Sequence, residues 1–367
     1  MIWLDITDPK YVLFFKEMLP LLKNLDEVLI TTRGNEGYSE THRLLELFGI
    51  EAYCIGGYGG ASKLGKLQAR LQRQKDFLAL FEKIGEIPRL FITGASVEGV
   101  QTAYGLGIPV VNFADTPIAG HHFSLKDITI LSRLTLPLSS LVFRPFVVPS
   151  ECYEAMGLKK ENIIPYDFID VALWLKDLKA GRDFREILGL DTSKPTILVR
   201  EEEYKAHYVK EKLPIIYESV HLLSKELECN IVIMPRYESE GLFQEFSGIK
   251  NVHILERKLE PCEFYPYIDL LIGGGGTMNL ESCYLGIPTI STRSLLLFHD
   301  IYLLQNSLMH HVKNAQEVLS LSKEILKDFS ASHRVLTPNI ALFEPQRAGF
   351  EEIIKIIEKR FYDAHTS

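Results

Sequence analysis

Short apolar runs alternate with helix-like stretches along most of this 367-residue chain, and that alternation limits its fold more than any other feature. "MIWLDI", "EVLITT", "EAYCIGG", "RLFITG" and "IPVVNFAD" read as strands. Between them lie the helical patterns "YVLFFKEMLPLLKNL" and "ETHRLLELFGI", a long basic helix over about 63–84, and a helix over 96–105. Strands separated by helices of roughly 10 to 15 residues mean right-handed βαβ units and a parallel sheet covered on both faces.

The rhythm restarts after residue 190 with "PTILVR", "KLPIIYESVHLLSKEL", "CNIVIMPR", "NVHILE" and "IDLLIGGGG". The mixed, charged segment before it holds the linker, near residue 180. "FITGASVEGVQTAYGLGIPVVNF" and "LIGGGGTMNLESCYLGIPTIS" echo each other as strand, Gly, helix, Leu-Gly-Ile-Pro, strand. Part of that echo is βαβ grammar, with Gly ending the helix and Pro opening the strand. A chain of this length exceeds one ordinary core. The expectation is an α/β chain of two Rossmann-like domains, 1–179 and 180–344, with parallel sheets facing across a cleft. A last helix in 345–367 is expected to pack back on the first domain. Ligands of open α/β sheets sit beyond the carboxyl ends of the strands, so the ligand belongs in that cleft.

Four consecutive glycines, Gly273–Gly276, follow the strand "IDLLI". Such a run is conformationally costly, so something must approach the backbone closely. Thr277 is the expected N-cap of a helix over 278–285, whose first N–H groups point outward unpaired and carry part of the helix dipole. A phosphate can reach those N–H groups where no Cβ stands in its way. Glu281 lies one turn in, and helical side chains lean back toward the N-terminus. A carboxylate is a poor phosphate ligand but a good acceptor for ribose hydroxyls, so the pair reads as a nucleotide-diphosphate site. The competing reading is tight strand–helix packing with Glu281 in solvent. The spacing departs from that of an ATPase P-loop.

The same segment, "DLLIGGGGTMNLESCYLGIPTIS", resembles the donor-site segment of GT-B glycosyltransferases and the related UDP-GlcNAc 2-epimerases. "WLDITDPKYVLFFKEMLPLL", "GGASKLGKL", "GLGIPVVNFADT", "RLTLPL" and "ILVR" are similar to the domain of unknown function 354 family of predicted glycosyltransferases along nearly the full chain. The resemblance implies a nucleotide-sugar held mainly by the C-terminal domain, with no required metal and no other cofactor. By the resemblance to the peptidoglycan UDP-GlcNAc transferase, Glu281 would hold the ribose and backbone groups of Gly274, Gly275, Gly276 and Thr277 the diphosphate. The family pattern has a histidine in the loop after the first strand where this chain has Tyr11, which puts a histidine base there in doubt.

Arg200 and Arg236 end strands in the second half and are candidates to neutralise a diphosphate, which arginine binds bidentately. Pairing with local acids such as Glu201–Glu203 is the alternative. His299, Asp300 and Gln305, after the strand beyond the glycines, are candidates to meet sugar hydroxyls. In the first half Asp5 and Asp8 stand at a strand's carboxyl end, suited to act as a base on an acceptor hydroxyl, with helix capping as the alternative for Asp8. Asp115 and one of the pair His121 and His122 are the other acid–base candidates; two histidines are too few for a metal site.

The helix 63–84 sets Lys63, Lys66, Arg70, Arg73 and Lys75 beside Leu64, Leu67, Leu71 and Leu78. That pattern suits peripheral contact with an anionic membrane, and equally a solvated face on an ordinary α/β helix. A net charge of −8 argues against general nucleic-acid binding. Five scattered cysteines read as reduced thiols. The start "MIWLDITDPK" lacks a signal peptide's basic and apolar segments, and no stretch reaches 18 apolar residues. A cytoplasmic protein, peripheral at the inner membrane face at most, is expected. Three functions follow: a glycosyltransferase with a glycan or lipid-linked acceptor, a UDP-GlcNAc 2-epimerase, and a nucleotide-sugar binding protein without turnover.

Overall fold

Strands joined through helices must run parallel, and every pairing within the two sheets is parallel. The structure is a computed structural model that describes the chain except residues 35–38, 58, 61, 95, 203–214, 237–239, 258, 330–335 and 364–367. It divides into two compact units, Met1–Leu173 with Gln346–Ser367, and Trp174–Pro345.

In the first unit β1 (Ile2–Ile6), β2 (Val28–Thr32), β3 (Tyr53–Cys54), β4 (Leu90–Thr93), β5 (Val110–Phe113), β6 (Leu141–Pro145) and β7 (Ile163–Tyr166) form a sheet in the order β3-β2-β1-β4-β5-β6-β7. In the second, β8 (Thr196–Arg200), β9 (Asn230–Met234), β10 (Val252–Ile254), β11 (Leu270–Gly273), β12 (Thr289–Ser291) and β13 (His310–His311) follow the order β10-β9-β8-β11-β12-β13. Both are Rossmann orders, winding outward one way from the first strand and then the other way from the fourth. The direction changes between β1 and β4 and between β8 and β11, and those are the places where such sheets take ligands.

The central strands read as continuous apolar runs because helices cover both faces, and β4, β5 and β11 are buried at every position. In the first unit the Trp3 ring packs edge-on against Phe77 and Phe81, at 4.6 and 5.0 Å between centroids. Those phenylalanines come from the helix Lys63–Ile84, which Ser62 caps and Gly85 ends in the left-handed conformation. The helix presents Arg73 to the sheet as well, with 0% exposure. Arg73 Nη1 and Nη2 donate to Asp5 Oδ2 and Oδ1 at 2.8 and 2.7 Å, and Thr31 Oγ1 donates to Asp5 Oδ1 at 2.6 Å. Asp5 is therefore no base for an acceptor, because both of its oxygens are held inside the protein. Nor does Arg73 belong to a solvated or membrane-facing surface; without it the Asp5 charge would be buried unpaired.

The chain returns to the first unit at its end. Phe350 is buried, with its ring 5.0 Å from that of Phe14 and 5.8 Å from that of Phe168, and it leads into the helix Glu351–Phe361. Arg360 Nη1 donates to Asn162 Oδ1 at 2.7 Å. Among the described residues no helix is long and apolar enough to cross a membrane.

Candidate functional site

Register places the glycine run. Gly273 pairs with Arg200 on one side and with Ser291 on the other, so three strand ends deliver their next residues to one spot in the second unit. The helix there spans Gly276–Tyr284 and its N-cap is Gly275, with no side-chain hydrogen bond at the cap. Thr277 is not the cap; it lies in the first turn and is exposed. The chain enters the helix earlier than a hydroxyl cap would require, because glycine at the N-cap leaves the helix end bare. The first N–H groups of the helix then have no intrahelical partner and sit at its positive end.

The four glycines serve two purposes. A Cβ on Gly273 would lie 1.8 Å from Asn279 Oδ1, and one on Gly274 would lie 2.5 Å from the Glu202 backbone nitrogen. These two are glycine for packing. A Cβ on Gly275 or Gly276 would instead meet only guanidinium groups, 3.2 Å from Arg236 Nη1 and 3.1 Å from Arg293 Nη1. The bare end of the helix is thus bracketed by two arginines.

Each arginine has a holder. Glu201 Oε2 accepts the Arg236 backbone N–H at 3.1 Å, while its Oε1 accepts from Tyr217. Arg293 Nη1 bonds Asp300 Oδ2, which also accepts the Leu297 N–H at 2.8 Å. Asp300 is 2% exposed, so it orients Arg293 and starts the next helix rather than reaching out to a sugar. Arg293 stands two residues beyond β12, as Arg236 stands two beyond β9, and that recurrence is the signal by which the sequence could have revealed it. Arg200, half-buried, donates Nη1 to Pro235 O at 2.5 Å and Met234 O at 3.3 Å. His299 and Gln305 fall on or beside the helix Phe298–Gln305. Glu203 lies outside the described residues.

Glu281 is one turn into the Gly276–Tyr284 helix and buried. Its Oε1 accepts Trp174 Nε1–H at 2.9 Å and its Oε2 accepts the Tyr265 hydroxyl at 2.5 Å. Neither donor was foreseen. Burial pushes the carboxyl above its ordinary range, and the two donors and the charge of Arg200 pull it only part of the way back. A carboxylate has about four lone-pair positions, so each oxygen can accept once more. Burial also raises the Tyr265 hydroxyl well above its usual value, with Glu281 adding to it, so that hydroxyl remains a donor.

In the first unit the candidates gather at the carboxyl ends of β1 and β5. Asp8 caps the helix Pro9–Leu25 by accepting the Lys10 N–H at 2.9 Å, and it is exposed. Lys10 Nζ lies 2.5 Å from Asp115 Oδ2 and 2.5 Å from Asp170 Oδ2, and Tyr166 donates to Asp170 Oδ1 at 2.8 Å. Burial pulls the Lys10 ammonium down, but Asp115 and Asp170 overcome it and hold the group well above its ordinary value. Asp115 is therefore engaged by a permanent cation. Tyr11 donates to Phe113 O at 3.0 Å. His121 lies on the loop after β5 with its ring 4.1 Å from that of His122. Sequence reading missed Lys10 and Asp170, which stand in a helix's first turn and in a segment taken as linker. Among the described residues no group of three or more His, Cys, Asp and Glu side chains could hold a metal ion.

Comparison with known proteins gives one family and one fold. Residues 1–344 match the family model described as "Protein of unknown function (DUF354)". The uncharacterized protein MJ0665 of Methanocaldococcus jannaschii is 27% identical over 352 residues, covering 94% of this chain and 96% of that protein. The UDP-N-acetylglucosamine 2-epimerase of Rickettsia bellii superposes with a TM-score of 0.72 at 14% identity, covering all of this chain and 98% of that one. The Neisseria meningitidis UDP-GlcNAc 2-epimerase bound to UDP-GlcNAc gives 0.67 at 15% identity, with 98% of each chain covered. At these identities the likeness is one of fold: two Rossmann-like units as in the GT-B-like epimerases.

Proposed function

Since the chain belongs to the family of proteins of unknown function DUF354, and its fold is that of the GT-B-like epimerases, we propose that it is an enzyme of nucleoside-diphosphate sugars that transfers the sugar to a hydroxyl acceptor. One observation carries this reading: a bare helix end bracketed by Arg236 and Arg293, one turn before the buried acceptor Glu281. An anion fits the first feature, and ribose hydroxyls fit the remaining lone pairs of the second. That neighbours of this fold are bound to UDP-GlcNAc supports uridine as the base. In transfer, the helix end and the arginines stabilise the departing diphosphate. Asp8 is the base on the acceptor, since Asp115 is engaged by Lys10. The donor is a UDP-sugar, the acceptor a glycan or lipid-linked hydroxyl, and the setting cytoplasmic.

Epimerisation at C2 is the second reading. It is favoured by the neighbours' activity and by the exposed Asp8 carboxylate beside the Lys10–Asp115–Asp170 ion-pair group, which needs no acceptor to act on a sugar. Proton NMR of purified protein with UDP-GlcNAc alone separates the two. Transfer predicts an unchanged donor until a hydroxyl acceptor is added; a sugar inverted at C2, whether still on UDP or released with UDP, appearing without acceptor favours epimerisation. If no UDP, GDP, TDP or CMP conjugate binds by calorimetry, both readings fall.

A further inference from the structure

The helix Lys63–Ile84 turns two apolar faces outward from its axis, and only one is used by the fold. Phe77, Leu80 and Phe81 face the sheet and are buried. Leu64, Leu67, Leu71 and Leu78 point away and remain 67%, 51%, 53% and 44% exposed. At about 100° per residue these four positions fall within an arc of roughly 60°, forming one stripe about 20 Å long. Exposed apolar stripes of this kind on a folded protein mark contact surfaces.

We propose that this stripe is a docking face for an anionic lipid surface, with the leucines entering the headgroup–acyl boundary and the basic side chains meeting lipid phosphates. The charge pattern selects that occupant. Between Lys63 and Lys75 there is no acidic residue, while Lys63, Arg70 and Lys75 fall within about 60° of the stripe on the helix surface, in a chain of net charge −8. Asp76 and Glu82, the acids of this helix, lie in its second half, and Asp76 accepts from Gln72 Nε2 at 2.8 Å. A second copy of the chain is the poorer fit, because a twofold interface sets a patch against itself and would bring these cations together. Lipid phosphates complement them, and long Lys and Arg stems let the charge reach the headgroups while the leucines go deeper.

The inference is independent of the proposed activity, and its test uses the full chain. Protein is sedimented with vesicles of phosphatidylcholine, or of phosphatidylcholine with 30% phosphatidylglycerol, at low and raised salt. Binding to the anionic vesicles alone, weakened by salt, is expected. Leu67→Ser with Leu71→Ser, and separately Lys63→Glu with Lys75→Glu, all four exposed, should each lower the partition coefficient at least tenfold. Both substitution pairs lie on the outer side of the helix, so melting temperature and nucleotide-sugar binding serve as controls for folding and should not change. No binding to anionic vesicles, or binding that the leucine variant leaves intact, overturns the proposal. So does a dimer in sedimentation equilibrium that the leucine variant converts to monomer.

Discussion

Arg236 and Arg293 approach the bare end of the Gly276–Tyr284 helix from the ends of different strands, and a guanidinium in such a place can take two phosphate oxygens at once. Charge-assisted hydrogen bonds contribute about 1.5–3 kcal/mol each, which is about ten- to a hundredfold in affinity. Arg293→Ala should therefore weaken UDP-sugar binding in calorimetry by about that factor, with Arg293→Lys in between, because lysine keeps the charge but loses the fork. A loss of less than twofold would show that Arg293 serves only Asp300. Glu281 adds a pH dependence whose sign can be derived. Its folded-state value is raised, so it gains its proton as pH falls through that raised range. A protonated carboxyl accepts hydroxyl donors poorly, so affinity for a UDP-sugar should fall as pH drops through that range and be full above it. A diester diphosphate does not titrate there, so the trend should vanish in Glu281→Gln. Folding runs the opposite way: the raised value means the native state holds the proton more tightly, so this group's cost to stability eases as pH falls.

At the scale of the element, the strand–glycine–helix unit was legible because its parts follow local rules. The apolar run, the glycines and Leu-Gly-Ile-Pro mark a strand, a bare turn, a helix end and a new strand. Hidden from the sequence was the division of labour among the glycines, which depends on what other strands bring alongside: the Glu202 backbone against Gly274, and Arg293 against Gly276. Those neighbours are distant in the chain, so no local pattern encodes them. For the same reason Trp174 and Tyr265 were not foreseen as partners of Glu281, and Asp5 read as a candidate base until Arg73 was seen to bind both of its oxygens. The division is testable by substitution. Gly274→Ala pushes a Cβ against backbone and should cost about 1–3 kcal/mol in denaturant unfolding, the usual penalty of overpacking. Gly276→Ala meets only the Arg293 guanidinium, 3.1 Å away, and no backbone, so stability should fall less than in Gly274→Ala while UDP-sugar affinity falls. If both variants only destabilise, the run is glycine for packing throughout and the anion site loses its main support.

At the scale of the whole molecule, the chain builds most of one unit, then all of a second, and goes back to finish the first. Phe350 is the residue that makes the return matter. Its ring lies 5.0 Å from Phe14, 5.8 Å from Phe168 and 6.4 Å from Phe113, joining a helix, a loop and a strand that the first 173 residues have already brought together. Ile353 and Ile357 continue the same buried face along the helix Glu351–Phe361. Phe350→Ala opens a cavity among aromatic rings and should cost about 3–5 kcal/mol. The cost belongs to the first unit, so hydrogen exchange should quicken in β5 and in the helix Pro9–Leu25, whose Phe113 and Phe14 lose a neighbour. Protection in β8 and β11, and the affinity of the second unit for a UDP-sugar, should stay as they are, because Phe350 belongs to the first unit and Arg236, Arg293 and Glu281 to the second. Equal loss of protection in both sheets would mean that the two units unfold as one, and that the C-terminal return supports the second unit's candidate site as well as the first unit's core.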